Sequence, residues 1–293
     1  MNKTYPMKKR FFVFSQYLLP HHLVSRAVGC LAETRIPWLK NLLIRAFMRR
    51  FQIDLSEARI EAPEGYADFN AFFTRALKDQ ARPLSTEEHG LLSPCDGQVS
   101  QLGSITQGRI FQAKGHHFSL IDLLGGDLQR AEPFMGGSFA TLYLSPKDYH
   151  RVHMPLAGRL REMIYIPGRL FSVNQTTVES VPGLFARNER VVCIFDTDQG
   201  PMAVVLVGAM IVASIETVWA GLVTPPKRIL KRFCYDQPAP YPIQLDKGAE
   251  LGHFRLGSTV ILLFGPEVVT WCEGLKPQSP VRMGEALGHA RTA

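Results

Sequence analysis

From about residue 91 the chain alternates short apolar runs with glycine, proline and aspartate turns. Runs at 98–102, 109–113, 138–144, 160–166, 191–195, 203–209 and 259–264 are rich in Val, Ile, Leu, Phe and Tyr, and their length predicts strands. DTDQG at 196–200, between two such runs, predicts a hairpin loop. Residues 201–215 are uncharged and largely apolar, but Gly208 and Ser214 interrupt them and Glu216 ends them, which predicts buried strands rather than a membrane span. A faint internal echo, PCDGQV at 94–99 against PLAGRL at 155–160, suggests two related hairpin units.

The first ninety residues follow a different period. WLKNLLIRAFMRRF at 38–51 places Trp38, Leu39, Leu42, Leu43, Ala46 and Phe47 toward one helical face and Asn41, Arg45, Arg49 and Gln52 toward the other. YADFNAFF at 66–73 gathers aromatics on a helical face. FFVFSQYLL at 11–19 follows a Lys-Lys-Arg cluster, but no small-residue cleavage site comes after it, so a cleaved signal peptide is not expected. No stretch has the ~20 continuous apolar residues of a spanning helix. The predicted class is α+β: a basic amphipathic helical region, 1–65, then a mainly β domain, 66–293.

Charge sharpens this picture. Ten Lys/Arg and one acid, Glu33, fall within residues 1–50, so this segment accounts for more than the whole net charge of +7. A basic segment favours an anionic partner. Its cations are interleaved with bulky aliphatics and no nucleic-acid-binding motif is present, so a lipid surface is expected rather than nucleic acid. An ordinary helix packed on the protein's own core would give the same pattern. The five cysteines are scattered and form no Cys-x-x-Cys pair, which argues against a disulfide framework or structural zinc and for a reducing compartment.

Three places could carry chemistry. Asp96 lies in the turn SPCDG, His150 and His153 in DYHRVHMP, and Ser258 in LGST just before an apolar run. Singly, each has a plain structural explanation. Asp-Gly is usually a turn, and Gly-Ser-Thr is usually an entry into a strand. His-x-x-His without a third ligand or a helix does not predict a metal, and His116-His117 is expected to be a loop feature. Together, Asp, His and Ser are the parts of an activated nucleophile. The serine lacks the Gly-x-Ser-x-Gly elbow of a hydrolase. Gly257, having no Cβ, lets the Ser258 hydroxyl approach the preceding carbonyl and attack its own chain.

YHRVHMP at 149–155, FARNER at 185–190, SIETVWAG at 214–221 and above all FRLGST at 254–259 resemble the bacterial phosphatidylserine decarboxylase proenzymes, in the same order along the chain. The resemblance implies an autocatalytic cut between Gly257 and Ser258, giving a β chain, 1–257, and an α chain, 258–293, that stay together as a heterodimer. Ser258 would become a covalent pyruvoyl group that binds the substrate amine as a Schiff base. Asp96 and His153 would activate Ser258 for the cut, and His150, an imidazole titrating near neutrality, would either reprotonate the substrate or only support the loop through a hydrogen bond. The implied reaction converts phosphatidylserine to phosphatidylethanolamine, without a metal, on the cytoplasmic side of the cell membrane, where the enzyme would be peripheral. The resemblance leaves room for a higher oligomer of the αβ unit. Two readings of another class predict an uncut chain: a serine hydrolase using the same residues, and a non-catalytic lipid-binding β domain.

Overall fold

Prolines divide the N-terminal region into three helices: α1 (Met7–Leu18), α2 (His21–Ala32) and α3 (Pro37–Phe51). Pro20 precedes α2 and Pro37 occupies the first turn of α3, where a missing N–H costs nothing. The structure is a computed structural model that describes residues 7–210, 214–223, 229–235, 242–255 and 258–291. A fourth helix, α4 (Phe69–Phe73), is capped by Asp68, whose carboxylate accepts from the Ala71 N–H. Phe69, Phe72 and Phe73 are all buried, and Phe47 of α3 packs edge-on against Phe69, as expected for an aromatic face.

The face of α3 differs from the sequence expectation. Ile44 is fully buried and Phe47 packs on the core, but Trp38 and Leu42 stand 68% and 58% exposed. Lys40 is buried instead, its Nζ donating to Asn41 Oδ1 and the Pro63 carbonyl. The apolar residues of α3 are too many for one face. One flank seats on α4 and the other faces outward.

The large sheet is wholly antiparallel. Its strands run, in spatial order, Lys231–Cys234, Gly158–Ile166, Arg190–Thr197, Gly200–Val207, Ser258–Phe264, Ser138–Leu144, Gly97–Ser104 and Pro280–Val281, with Gln244–Leu245 also on Gly158–Ile166. The turn between Thr197 and Gly200 is the predicted hairpin. His116 and His117, expected in a loop, lie in the strand His116–Ser119, which folds back on Arg109–Ala113 across the Lys114-Gly115 turn.

The faint echo marks a two-fold relation through the β domain. The two Pro-x-x-Gly turns lie side by side: Leu92 N–H donates to the Pro155 carbonyl, and His153 N–H donates to that of Pro94. Gly90–Leu92 pairs with Ala286–Ala290 as Arg151–His153 pairs with Glu250–Phe254, each with a register shift at the corresponding place. Leu-Gly-His occurs at matching positions, 251–253 and 287–289. The relation is broken where chemistry is expected. His153 stands opposite Leu92, and Asp96 opposite Ala157.

Candidate active site

Ser258 opens a strand held on both sides. Ser258 pairs with Leu144, Thr259 with Tyr143 and Val207, and the pairing continues to Phe264. Gly257 lies outside the described residues, and Ser258 enters the site by its backbone pairing. Asp96 reaches the same end of the sheet from the far side of Ser138–Leu144. A Cβ on Gly97 would meet the Tyr143 carbonyl oxygen at 2.3 Å, and Gly97 has φ +151°, so only glycine fits there. The histidine segment arrives through the smaller sheet. Glu250 pairs with His153, and His150 O accepts from the Phe254 N–H at 3.2 Å, four residues before Ser258. Asp96, His150, His153 and the backbone of Ser258 therefore converge on one end of the large sheet.

Their bonding differs from the expected relay. No hydrogen bond joins Asp96 to His153 among the described residues. The Asp96 carboxylate accepts from Arg82 Nε at 2.9 Å, from Arg82 Nη2, and from the Met283 N–H at 2.9 Å. His153 places Nδ1 2.9 Å from the Gly248 carbonyl and Nε2 3.1 Å from the Tyr149 hydroxyl. A carbonyl only accepts, so Nδ1 carries the proton and Nε2 is the basic atom. Burial lowers the pKa of His153, though the Gly248 carbonyl opposes the shift, and the ring is a neutral base at neutral pH. Tyr149, pushed up to about 12 by burial, keeps its proton and donates it. Gly248, rather than Asp96, thus fixes the tautomer of His153.

His150 has different surroundings. It is fully buried, 4.0 Å from the Phe73 ring between centroids. Its Nδ1 donates to the Asp148 carbonyl at 2.8 Å, in a turn that Asp148 closes by accepting from Ser145 N–H and Oγ. Nε2 is therefore a buried lone pair without a hydrogen-bond partner among the described residues. Burial pushes the pKa down to about 3. This corrects the expectation of an imidazole titrating near neutrality. The desolvated ring is neutral and must take a proton before it can give one.

Arg82, Tyr149 and Gly248 were not singled out from the sequence. Tyr149 sits inside the quoted histidine block. Arg82 and Gly248 had no comparable signal, because what matters about each is a single contact across the fold.

The sequence model described as phosphatidylserine decarboxylase matches residues 69–289, and a second, described as PSD, matches residues 11–52. The chain belongs to the phosphatidylserine decarboxylase family. It is 70% identical over 284 residues to the phosphatidylserine decarboxylase proenzyme of Stutzerimonas stutzeri strain A1501, covering 97% of this chain and 96% of that one. It is 69% identical over 284 residues to the protein of that name from Pseudomonas fluorescens strain Pf0-1, covering 97% and 99%. Against that of Pseudomonas aeruginosa strain UCBPP-PA14 it is 68% identical over 286 residues, covering 98% and 99%. The second match covers most of α1–α3, so the helical region is part of the likeness.

Proposed function

We propose that this family member is a self-cutting precursor. It divides between Gly257 and Ser258, and the resulting αβ unit, 1–257 with 258–293, decarboxylates phosphatidylserine to phosphatidylethanolamine at a membrane surface. The observation that carries the reading is the near-full-length identity to relatives named as proenzymes of that reaction. The sheet supports it: Ser258–Phe264 is paired on both edges, so a break before Ser258 would leave that strand in place. Val269–Trp271, Pro280–Val281 and Ala286–Ala290 also pair with strands before the cut or with each other, so the small chain would stay woven in.

The site suits a pyruvoyl group made from Ser258, because an unpartnered lone pair, His150 Nε2, is buried on the segment bonded to Phe254. The ketone would supply the electron sink that decarboxylation of an amino acid requires and that no side chain offers. The chain's own residues handle protons. His153 Nε2 is the base that takes the Ser258 hydroxyl proton during maturation, Tyr149 giving up its place there. Arg82 and Asp96 hold the neighbouring turn in shape. His150 Nε2 takes a proton from the substrate ammonium and returns it to the carbon that loses CO₂. Treating the cut enzyme with phosphatidylserine and cyanoborohydride should add the lipid's mass to the 258–293 chain and end activity. Labelling confined to a lysine, or a requirement for added pyridoxal phosphate, would contradict this.

Membrane attachment rests on what α1–α3 expose. Phe11, Phe14, Leu18, Leu23, Trp38 and Leu42 all stand more than half exposed. No described helix is long and apolar enough to cross a membrane. The helices lie toward the Ser258 end of the sheet: His22 bonds to Gly168 just past Gly158–Ile166, and Arg255, three residues before Ser258, is paired with Glu33. A lipid gathered by these helices would meet the reaction centre from the same side. Replacing Phe11, Leu18 and Trp38 together by serine should weaken binding to anionic vesicles at least 100-fold, since each buried large side chain is worth about 1.5–3 kcal/mol. Unchanged binding would dismiss this surface as the anchor.

A further inference from the structure

One residue of the FARNER block has no part in the site or the core. Phe185, Asn188, Glu189 and Arg190 are buried, and Asn188 and Arg190 hold backbone carbonyls. Arg187 instead lies over the rings of Tyr17 and Phe171 and lines a cleft of about 580 Å³ at the joint between α1 and α2. Arg169, His21, His22, Leu19 and Leu23 line it too, and among the described residues no Asp or Glu does.

The cleft offers donors. His21 is 3% exposed, and its Nδ1 accepts from the Leu170 N–H. Burial lowers its pKa, a bond to the Gln16 backbone opposes the shift and Arg169 adds to it, so the ring is neutral, and its Nε2 has no hydrogen-bond partner among the described residues. Two guanidinium groups, with no carboxylate among the described lining residues, call for an anionic oxygen ligand that brings several acceptors. The exposed Leu18, Leu19 and Leu23 beside it suit a ligand with acyl chains.

We propose that this cleft is a second phospholipid site, which takes the phosphodiester of an anionic lipid headgroup and seats the α1–α2 joint on the bilayer. The inference rests on the membrane-surface reading above but not on the reaction. The site is distinct from the reaction centre. Thr259, Val207, Arg190 and Ile166 form one row across four strands, so the strand beside the cleft lies about 14 Å from that of Ser258. In a serine headgroup the four bonds from amine to phosphorus span only about 5 Å. One lipid cannot occupy both places in its reacting position.

The test uses full-length enzyme and dihexanoyl phosphatidylglycerol below its micelle concentration, titrated calorimetrically. This lipid has no amine and cannot be captured at the reaction centre. We expect saturable binding of one lipid per chain. Arg169→Gln with Arg187→Gln should weaken it at least tenfold, while Arg49→Gln with Arg50→Gln, which removes equal charge from α3, leaves it unchanged. If the first pair does not fold, Arg169→Gln alone should weaken binding at least threefold. Absence of saturable binding, or equal loss in both pairs, would overturn the proposal in favour of diffuse charge attraction. Inorganic phosphate binding as tightly as the lipid would overturn it in favour of a simple anion site.

Discussion

His153→Ala is expected to leave the chain uncut. The argument is geometric: Nδ1–H is committed to the Gly248 carbonyl, so Nε2 is the one basic atom of the ring, and burial keeps it neutral. Without it, the remaining imidazole of this segment, His150, is too weakly basic to take the Ser258 proton, since burial pushes its pKa down to about 3. A general base contributes about 10²–10⁴ to rate, enough to turn complete maturation into almost none over the time of expression. Asp96→Asn should have the same outcome by another route. Arg82 is nearly buried, and removing the Asp96 charge leaves Glu57 as its partner, loosening the turn that abuts Leu144 opposite Ser258. The check is gel electrophoresis of both variants after equal expression. Normal cutting in His153→Ala would remove it from the role.

His150→Ala should behave in the opposite way, cut normally but slow to decarboxylate, by about 10²–10³ in kcat. The unpartnered Nε2 is the reason, since a ring kept only to support the loop would need nothing beyond its Nδ1 bond to Asp148. An uncut variant would mean that the two histidine roles are divided wrongly, and a cut, fully active one would make His150 structural. His150 also predicts an acid sensitivity. Its pKa is about 3 when folded against 6.5 unfolded, so the unfolded chain takes the proton first as pH falls. Stability present above pH 6.5 is lost progressively toward pH 3, by roughly 2 kcal/mol at pH 5. Urea unfolding of Ser258→Ala chains at pH 7 and pH 5 should show this slope reduced when His150→Ala is added.

Much of this was legible in the sequence for identifiable reasons. Strands such as Arg109–Ala113 and Ser138–Leu144 are short runs rich in Ile, Leu, Phe and Tyr bounded by turns, and their bounds matched. The strand expected to continue to Ala209 ends at Val207, where the Asn188 side chain takes the Gly208 carbonyl. The flank of α3 that packs was not legible, because Leu42 and Leu43 are equally apolar and only α4 decides between them. The two-fold relation was visible only as a faint echo, since Leu-Gly-His at 251–253 and 287–289 is a short identity within long divergence. In the candidate site, Asp96, His150, His153 and Ser258 were singled out by their motifs. The bonds that hold them, from Gly248, Tyr149 and Arg82, are single contacts made by the fold, which no sequence pattern marks.

The central claim is self-cutting before Ser258, and intact mass spectrometry of the purified protein beside Ser258→Ala tests it most directly. The account predicts two chains for the natural sequence, 1–257 and 258–293. The smaller should carry the mass of a pyruvoyl end in place of serine and resist Edman degradation. Ser258→Ala should give one chain of full length and no decarboxylation. A natural protein that decarboxylates phosphatidylserine while its mass remains that of the uncut 293 residues would contradict the account.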